Sequence, residues 1–364
     1  MVCAASGPVG FVMESFFEKL IESVRAGRPV AETVLVATRG STPQKAGARM
    51  LVFADGAQLG TLGGGCVEAE VKRTALECLQ SGKATISDFL LDNDYGWDDG
   101  LICGGRMTAL IDPILSTGTA GYAAAYLQCL QEASGCTEAI ALSAEADRRP
   151  SRFLFDAENQ LRAQTNGSDA SPSIAGHLKP LDLRPLPYVA GEFAYLPTLP
   201  RCQVVIVGGG HVGQSLARYA RDADFDVTVV DDRRDYCNPD RIPEAGRHLV
   251  GRMDDVLPQL SVCSQTACVI VTRGHNHDEE ALLHLIRKQP GYLGMIGSRR
   301  KIRLIFDDLL REGIPEMDLA RVHAPIGLDI GSRTVPEIAI SIVAELIAWR
   351  NLRGSRKTVE SDHA

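Results

Sequence analysis

The stretch Val204-Val-Ile-Val-Gly-Gly-Gly-His-Val-Gly213 decides the fold of the C-terminal half. Val204 to Val207 is a short, wholly apolar run, the pattern of a strand buried on both faces. It passes directly into Gly208, Gly210 and Gly213, which satisfy G-x-G-x-x-G, and then into a helix carrying Leu216, Tyr219 and Ala220. In that pattern the first glycine permits a tight turn and the second lets the backbone approach a pyrophosphate. The third lets helix and strand pack closely, and the ligand's negative charge rests on the amides of the helix N-terminus. A second strand, Val227-Thr-Val-Val230, is closed by Asp231, where an acid accepts ribose hydroxyls. Strand, glycines, helix, strand and acid in this order predict a Rossmann-type parallel-sheet unit from about Gln203 onward. His211, inside the fingerprint, is either a ligand contact or a partly exposed loop residue.

Working outward, Ala267-Cys-Val-Ile-Val-Thr272 reads as a further strand whose C-terminal end carries Arg273-Gly-His-Asn-His-Asp278. Ligands of open α/β sheets bind outside the carboxyl ends of the strands, so this loop faces the expected site. His275, His277 and Asp278 are metal-ligand types, but Asp278 followed by two glutamates also makes a good helix start. We assign Asp278 to the helix start and take His275 as a candidate ligand contact. Tyr292-Leu-Gly-Met-Ile296 is the next strand and ends in Gly297-Ser-Arg-Arg-Lys301. Gly297, Ser298 and Lys301 suit a phosphate at a helix N-terminus, or equally a solvated basic helix start. Thr334-Val-Pro-Glu337 reads as a capping box opening the final helix.

In the first half, Phe16, Phe17, Leu20, Ile21 and Val24 recur at helical spacing before a stop at Gly27. Val34 to Thr38, Arg49 to Phe53, Phe89 to Leu91 and Met107 to Ile111 read as strands, and Ala120 to Leu130 as a helix. The informative segment is Gly60-Thr-Leu-Gly-Gly-Gly-Cys-Val-Glu68, which leads into a helix from Val67 to about Gln80. Gly63, Gly64 and Gly65 present backbone amides suited to an oxyanion, and Glu68 belongs to the same candidate site. Cys66 falls near the helix N-terminus, where the dipole favours thiolate. Cys103 and Gly104 begin a second glycine loop, Cys103-Gly-Gly-Arg106, beside a cation. Two such thiols suit sulfur transfer or ligation of a soft metal such as molybdenum; the plainer alternative is a pair of small buried cysteines.

Prolines crowd the stretch from Pro180 to Pro200, which reads as an inter-domain linker. The expected organisation is therefore an N-terminal α/β domain with linker over 1–195, a Rossmann-like domain over 196–352 and a polar, disordered tail over 353–364. With 364 residues, 45% hydrophobic and 23% charged, the chain has the composition of a soluble two-domain protein. A net charge of −8 argues against nucleic acid or a membrane surface as partner. The ten cysteines include no Cys-x-x-Cys pair, which argues against structural zinc. With no signal peptide and no membrane-length apolar run, the expected location is the cytoplasm, with reduced thiols.

Together, Gly40-Ser-Thr-Pro43, the loop from Gly60 to Glu68, Cys103-Gly-Gly105, Gly208 to Gly213, Gly294 to Lys301 and Pro325-Ile-Gly-Leu-Asp-Ile-Gly331 resemble the xanthine dehydrogenase accessory protein (XdhC/CoxI) family. The resemblance covers nearly the whole chain. One departure is Thr334-Val-Pro-Glu337, where the family usually reads Thr-Pro-Glu-Glu; the cap survives it. The resemblance implies a chaperone that binds the molybdenum cofactor (molybdopterin), holds it while a cysteine desulfurase supplies the sulfido ligand, and delivers it to xanthine dehydrogenase or a related molybdoenzyme. The metal end of the cofactor then meets Cys66 and Cys103, and a homodimer is expected. Two readings from other classes stay open. One is an NAD(P)-dependent oxidoreductase, which the fingerprint alone suggests but for which no catalytic acid or base is evident. The other is a nucleotide-sensing regulatory protein.

Overall fold

The computed structural model describes residues 9–91, 105–114, 118–132, 134–142, 149–165 and 172–352. The chain divides into two compact units, residues 1–200 and 201–364. The second carries the fingerprint. Its five strands are all parallel, in the spatial order Arg247–Val250, Asp226–Asp231, Gln203–Val207, Thr266–Ile270, Tyr292–Met295. This is a doubly wound sheet whose strand order reverses beside the first strand, and the crevice there is where such folds bind ligands.

Alternation along the central strand sends side chains to two separate cores. Val204 and Ile206 pack with Leu216 and Ala220 of the helix His211–Asp222 and with Ile342 and Leu346 of the last helix, Val335–Leu352. Val205 and Val207 pack on the other face with Leu282 and Leu285 of the helix His275–Arg287 and Ile305 of the helix Arg299–Arg311. Burial on both faces explains the uninterrupted apolar run of this strand. The last helix opens on the expected capping box: Thr334 N donates to Glu337 Oε2 at 3.0 Å, and Glu337 N donates to Thr334 Oγ1 at 3.4 Å.

The first unit is mixed α/β with two antiparallel sheets. One has the order Gln58–Gly60, Arg49–Phe53, Val30–Arg39, Arg106–Ile114, Thr85–Leu90. The other has the order Leu161–Gln164, Arg152–Asp156, Cys136–Ala141, Phe193–Thr198, Tyr188–Ala190. The helix Val9–Arg25 buries Phe16, Phe17, Leu20, Ile21 and Val24 against the helix Gly118–Glu132, as their spacing predicts. The helix Gly65–Ser81 lays Val67, Val71, Ala75 and Cys78 on the first sheet.

The proline-rich stretch is not a plain linker. Tyr188–Ala190 and Phe193–Thr198 are strands of the second sheet, and the first unit runs on to Pro200. Pro197 pairs with Thr137 but lies past the last residue matched by Tyr188–Ala190, so its missing N–H costs nothing against that neighbour. Between the two sheets lies a charged cluster. Arg49 and Arg152 both bind Glu32, at 2.5 and 2.6 Å, and both bind Glu138, with Arg152 at 2.9 Å. Tyr122 Oη adds a donor to Glu138 at 2.8 Å. All four charged side chains are at most 2% exposed, so removing one partner strands a charge in a water-poor site. No helix among the described residues is long and apolar enough to cross a membrane.

Candidate functional site

The fingerprint glycines have separable jobs. Gly208 has φ +113°, and a Cβ there would lie 2.7 Å from Val271 O, so only glycine fits the turn and its close approach to the neighbouring strand. A Cβ on Gly213 would meet Gly208 O at 1.9 Å, which is the helix–strand packing role. Gly210 differs: a Cβ there meets nothing within 4 Å. It is the N-cap of the helix His211–Asp222, with no side chain capping the amides behind it. Open space in front of an uncapped helix start is what a phosphate needs. His211 is the first residue of that helix and is exposed.

Asp231 departs from the expected role. Its Oδ2 accepts from Gly209 N at 2.7 Å and Arg233 Nη2 at 2.8 Å; its Oδ1 accepts from Arg233 N and Nε at 3.0 and 2.9 Å. Burial alone would raise this carboxyl, yet the Arg233 side chain and the two amides hold it below the usual range. The acid thus braces the glycine turn from within and is not presented to a ribose.

The loop after Thr266–Ile270 also departs in part from expectation. Asp278 does fall in the first turn of the helix His275–Arg287, but the N-cap is Gly274. The buried carboxylate accepts from Thr272 Oγ1 and Lys301 Nζ, and desolvation raises its pKa in spite of the lysine. Lys301 is therefore engaged by Asp278 and not directed at a phosphate. Ser298 is the N-cap of the helix Arg299–Arg311 and accepts from Lys301 N at 3.3 Å, while Gly297 packs beside Ile302. For Gly297, Ser298 and Lys301 the helix-start reading explains the contacts. His275 Nε2 lies 3.4 Å from Glu279 and 3.7 Å from Asp308. Those three, and not His275 with His277 and Asp278, are the metal-ligating types that gather within 4.8 Å among the described residues.

In the first unit three glycine-bearing loops come together. A Cβ on Gly63 would lie 2.4 Å from Pro43 Cβ, and one on Gly105 would lie 2.1 Å from Ser41 O. Gly63, Gly64 and Gly65 all have positive φ, and the helix Gly65–Ser81 starts without a side-chain cap. Cys66 is its second residue and is half-buried. Glu68 turns back into the loop: it accepts from Gln58 Nε2 and Thr61 Oγ1 at 2.6 Å, Leu62 N at 2.8 Å and Gly64 N at 3.0 Å. Partial desolvation acts to raise this carboxyl, but these donors hold it below its ordinary range. Of the glycine amides expected to receive an external oxyanion, Gly64 N is thus satisfied by the chain's own carboxylate and Gly63 N by Thr61 Oγ1 at 3.0 Å, and Glu68 is a loop brace. Cys103 and Gly104 lie outside the described residues.

The sequence places the loop from Arg273 to Asp278 at the wall beyond the fingerprint but singles out neither Arg233 nor Arg273 as a binding residue. A cavity of about 370 Å³ is lined by Asp232, Arg233, Arg273, Gly274 and His277, at the carboxyl ends of Asp226–Asp231 and Thr266–Ile270. The signal was present as Asp231-Asp-Arg-Arg234 directly after a strand and Arg273 directly after another.

Comparison with known proteins follows this division. Residues 204–346 match the profile of the XdhC Rossmann domain, and residues 23–90 match that of the XdhC and CoxI family. The chain is 28% identical over 324 residues to the uncharacterized protein YqeB of Escherichia coli, covering 89% of this chain but only 44% of that protein. It therefore spans less than half the length of that relative. It is 27% identical over 319 residues to a probable xanthine dehydrogenase component of Bacillus subtilis, covering 87% of this chain and 92% of that one. To the molybdenum cofactor insertion chaperone PaoD of Escherichia coli it is 22% identical over 335 residues, covering 91% and 86%. A crystal structure described as a xanthine dehydrogenase from Bacillus halodurans shares the fold, with a TM-score of 0.74 at 23% identity, covering 95% of this chain and 98% of that one.

Proposed function

The chain belongs to the XdhC and CoxI family, and from that membership we propose that it carries the molybdenum cofactor and supports its maturation and insertion into xanthine dehydrogenase or a related molybdoenzyme. The observation that carries the reading is Cys66, a half-buried cysteine on the first turn of an uncapped helix behind three left-handed glycines. A thiol so placed stands at the surface of a braced loop, and a cysteine sulfur there can ligate a soft metal or pass sulfur. The loop is held in shape by Glu68, which leaves Cys66 on a braced turn. Likeness over most of the length of a molybdenum cofactor insertion chaperone supports the same conclusion.

In this reading the cofactor is cargo. Cys66, with Cys103, meets its metal end while a cysteine desulfurase provides sulfur. The Gly208–Gly213 turn receives a phosphate, on the cofactor or on an accompanying nucleotide, because Gly210 leaves the approach to the helix amides open. The protein works in the cytoplasm as a homodimer. The test is mass spectrometry, with metal analysis, of the ligand released from protein purified from cells that make molybdopterin. Molybdopterin is the expected species; its absence, with only a nucleotide released, would overturn the carrier role.

A further inference from the structure

The cavity beyond the fingerprint has an electrostatic composition that the turn alone does not explain. Three guanidinium groups converge on one ring: Arg233, Arg241 and Arg273 have Cζ 3.8, 4.6 and 5.8 Å from the centre of Tyr236. Two carboxylates stand against them. Asp231 is bound to Arg233 and the Gly209 amide, and Asp232 lies 3.7 Å from Arg233 Nε. Neither Arg241 nor Arg273 has a carboxylate within salt-bridge distance among the described residues, and Arg233 Nη1 has no hydrogen-bond partner there. Three guanidinium groups against two carboxylates leave one positive charge over, which an anion would balance.

The backbone beside them is shaped for one. Gly274, the N-cap of the helix His275–Arg287, has φ +100°, carries no side-chain cap and would direct a Cβ into open space. The positive end of this helix therefore meets the cavity floor, with His277 on its first turn. Position matters too. The cavity follows the second strand of the fold, where Rossmann proteins meet the ribose of a bound nucleotide. An acid there takes the hydroxyls, and an arginine accommodates a phosphate. Here Asp231 is already engaged by Arg233, so the cavity offers a ribose Arg233, Arg273 and His277 against the single carboxylate of Asp232.

We propose that the cavity between Arg233, Arg273 and Gly274 is a second anion subsite, which takes a phosphomonoester on the ribose of a nucleotide bound at the Gly208–Gly213 turn. The ligand class is a dinucleotide of the NADP type, with a diphosphate on the glycine turn and a ribose phosphate between the two arginines. Arg233 spends Nε and Nη2 on Asp231, so the fork open to a phosphate is that of Arg273, whose donors match phosphate oxygens better than a hydroxyl. The inference rests on the turn being a phosphate site, and it assigns that turn to a nucleotide accompanying the cofactor.

The experiment is calorimetric titration of the full-length protein with NADP+ and with NAD+, repeated for Arg273→Ala. Arg273 is exposed and makes no hydrogen bond or ion pair in the described structure, so its replacement leaves the melting temperature unchanged. NADP+ should bind at least tenfold more tightly than NAD+, about 1.4 kcal/mol. Arg273→Ala should remove that preference while keeping NAD+ affinity within twofold. Competition by 2′,5′-ADP against 5′-AMP should show the same preference and the same loss. Equal affinity for the two dinucleotides, a preference that survives Arg273→Ala, or no binding of either would overturn the subsite. None of these outcomes touches the carrier role, which is read from the molybdopterin released and from client maturation.

Discussion

Two glycines of one fingerprint should respond oppositely to substitution. At Gly213 a Cβ would sit 1.9 Å from Gly208 O, a backbone atom that cannot move without reopening the turn that Gly208 closes. Overpacking against backbone belongs at the upper end of the usual cost, about 3 kcal/mol for Gly213→Ala. For a unit of this size that is a fall in melting temperature of about 6 to 12 °C. At Gly210 φ is −67° and ψ −169°, an extended conformation open to any residue, and the Cβ meets nothing. Gly210→Val weakens the N-cap by about 1 kcal/mol, offset by about 0.4–1 kcal/mol from a stiffer unfolded chain. Its melting temperature should stay within about 3 °C of the parent. The valine nevertheless fills the approach to the helix amides, so binding of NADP+ or pyrophosphate should fall below detection. Thermal unfolding followed by circular dichroism, with calorimetric titration, reads both quantities. A Gly213→Ala protein that melts like the parent, or a Gly210→Val protein that is equally destabilised or binds normally, would refute the assignment of roles.

Asp112 should make the first unit sensitive to pH. Burial pushes its carboxyl up to about 6 from an ordinary 3.8, against the pull of Arg149 and Arg152. The folded chain thus favours the neutral acid: the advantage is complete below pH 3.8 and is lost as pH rises through about 6. Asp112→Asn should gain on the parent across that window, reaching about 3 kcal/mol at pH 7 in denaturant titrations; a difference that does not change with pH would count against it. Glu68→Gln keeps the shape but replaces one acceptor oxygen with a donor, leaving Leu62 and Gly64 amides without the charge they bind. At this half-exposed site the cost should be about 1–2 kcal/mol, with faster hydrogen exchange over Leu62 to Cys66, and unchanged exchange there would remove Glu68 as a brace. Steady hydride transfer from NADH or NADPH to small acceptors should be absent. Sustained turnover lost in a Gly208 or Gly213 variant would favour an oxidoreductase.

What can be read in advance follows from the range of the interactions involved. The run Val204–Gly213, the helix faces of Phe16 to Val24 and the cap from Thr334 to Glu337 are patterns complete within a few turns of chain, even where the surfaces they pack on are distant. Asp231 is legible as the acid closing the second strand. Its engagement by Arg233 and Gly209 depends on how the arginine side chain folds back and where the glycine turn places a main-chain amide, which residue type does not disclose. Lys301 and Asp278 are 23 residues apart, and nothing in either segment announces the other. Glu68 sits where an oxyanion ligand is expected because it is itself the oxyanion. The Glu32–Arg49–Glu138–Arg152 cluster is unreadable for the same reason as Pro197: both depend on which antiparallel strands become neighbours.

The most direct test of the carrier role is the molybdenum and sulfido content of a client xanthine dehydrogenase matured by co-expression with Cys66→Ser. Serine nearly preserves the volume but is a poor soft ligand and is not ionised at neutral pH. The expected client is cofactor-poor or lacks its sulfido ligand, although the variant itself melts like the parent. Cys103→Ser carries the same expectation. Cys78→Ser and Cys129→Ser, on the buried faces of helices, should mature the client fully. A client loaded and sulfurated as completely by Cys66→Ser and Cys103→Ser as by the parent would contradict the thiol site and the reading built on it.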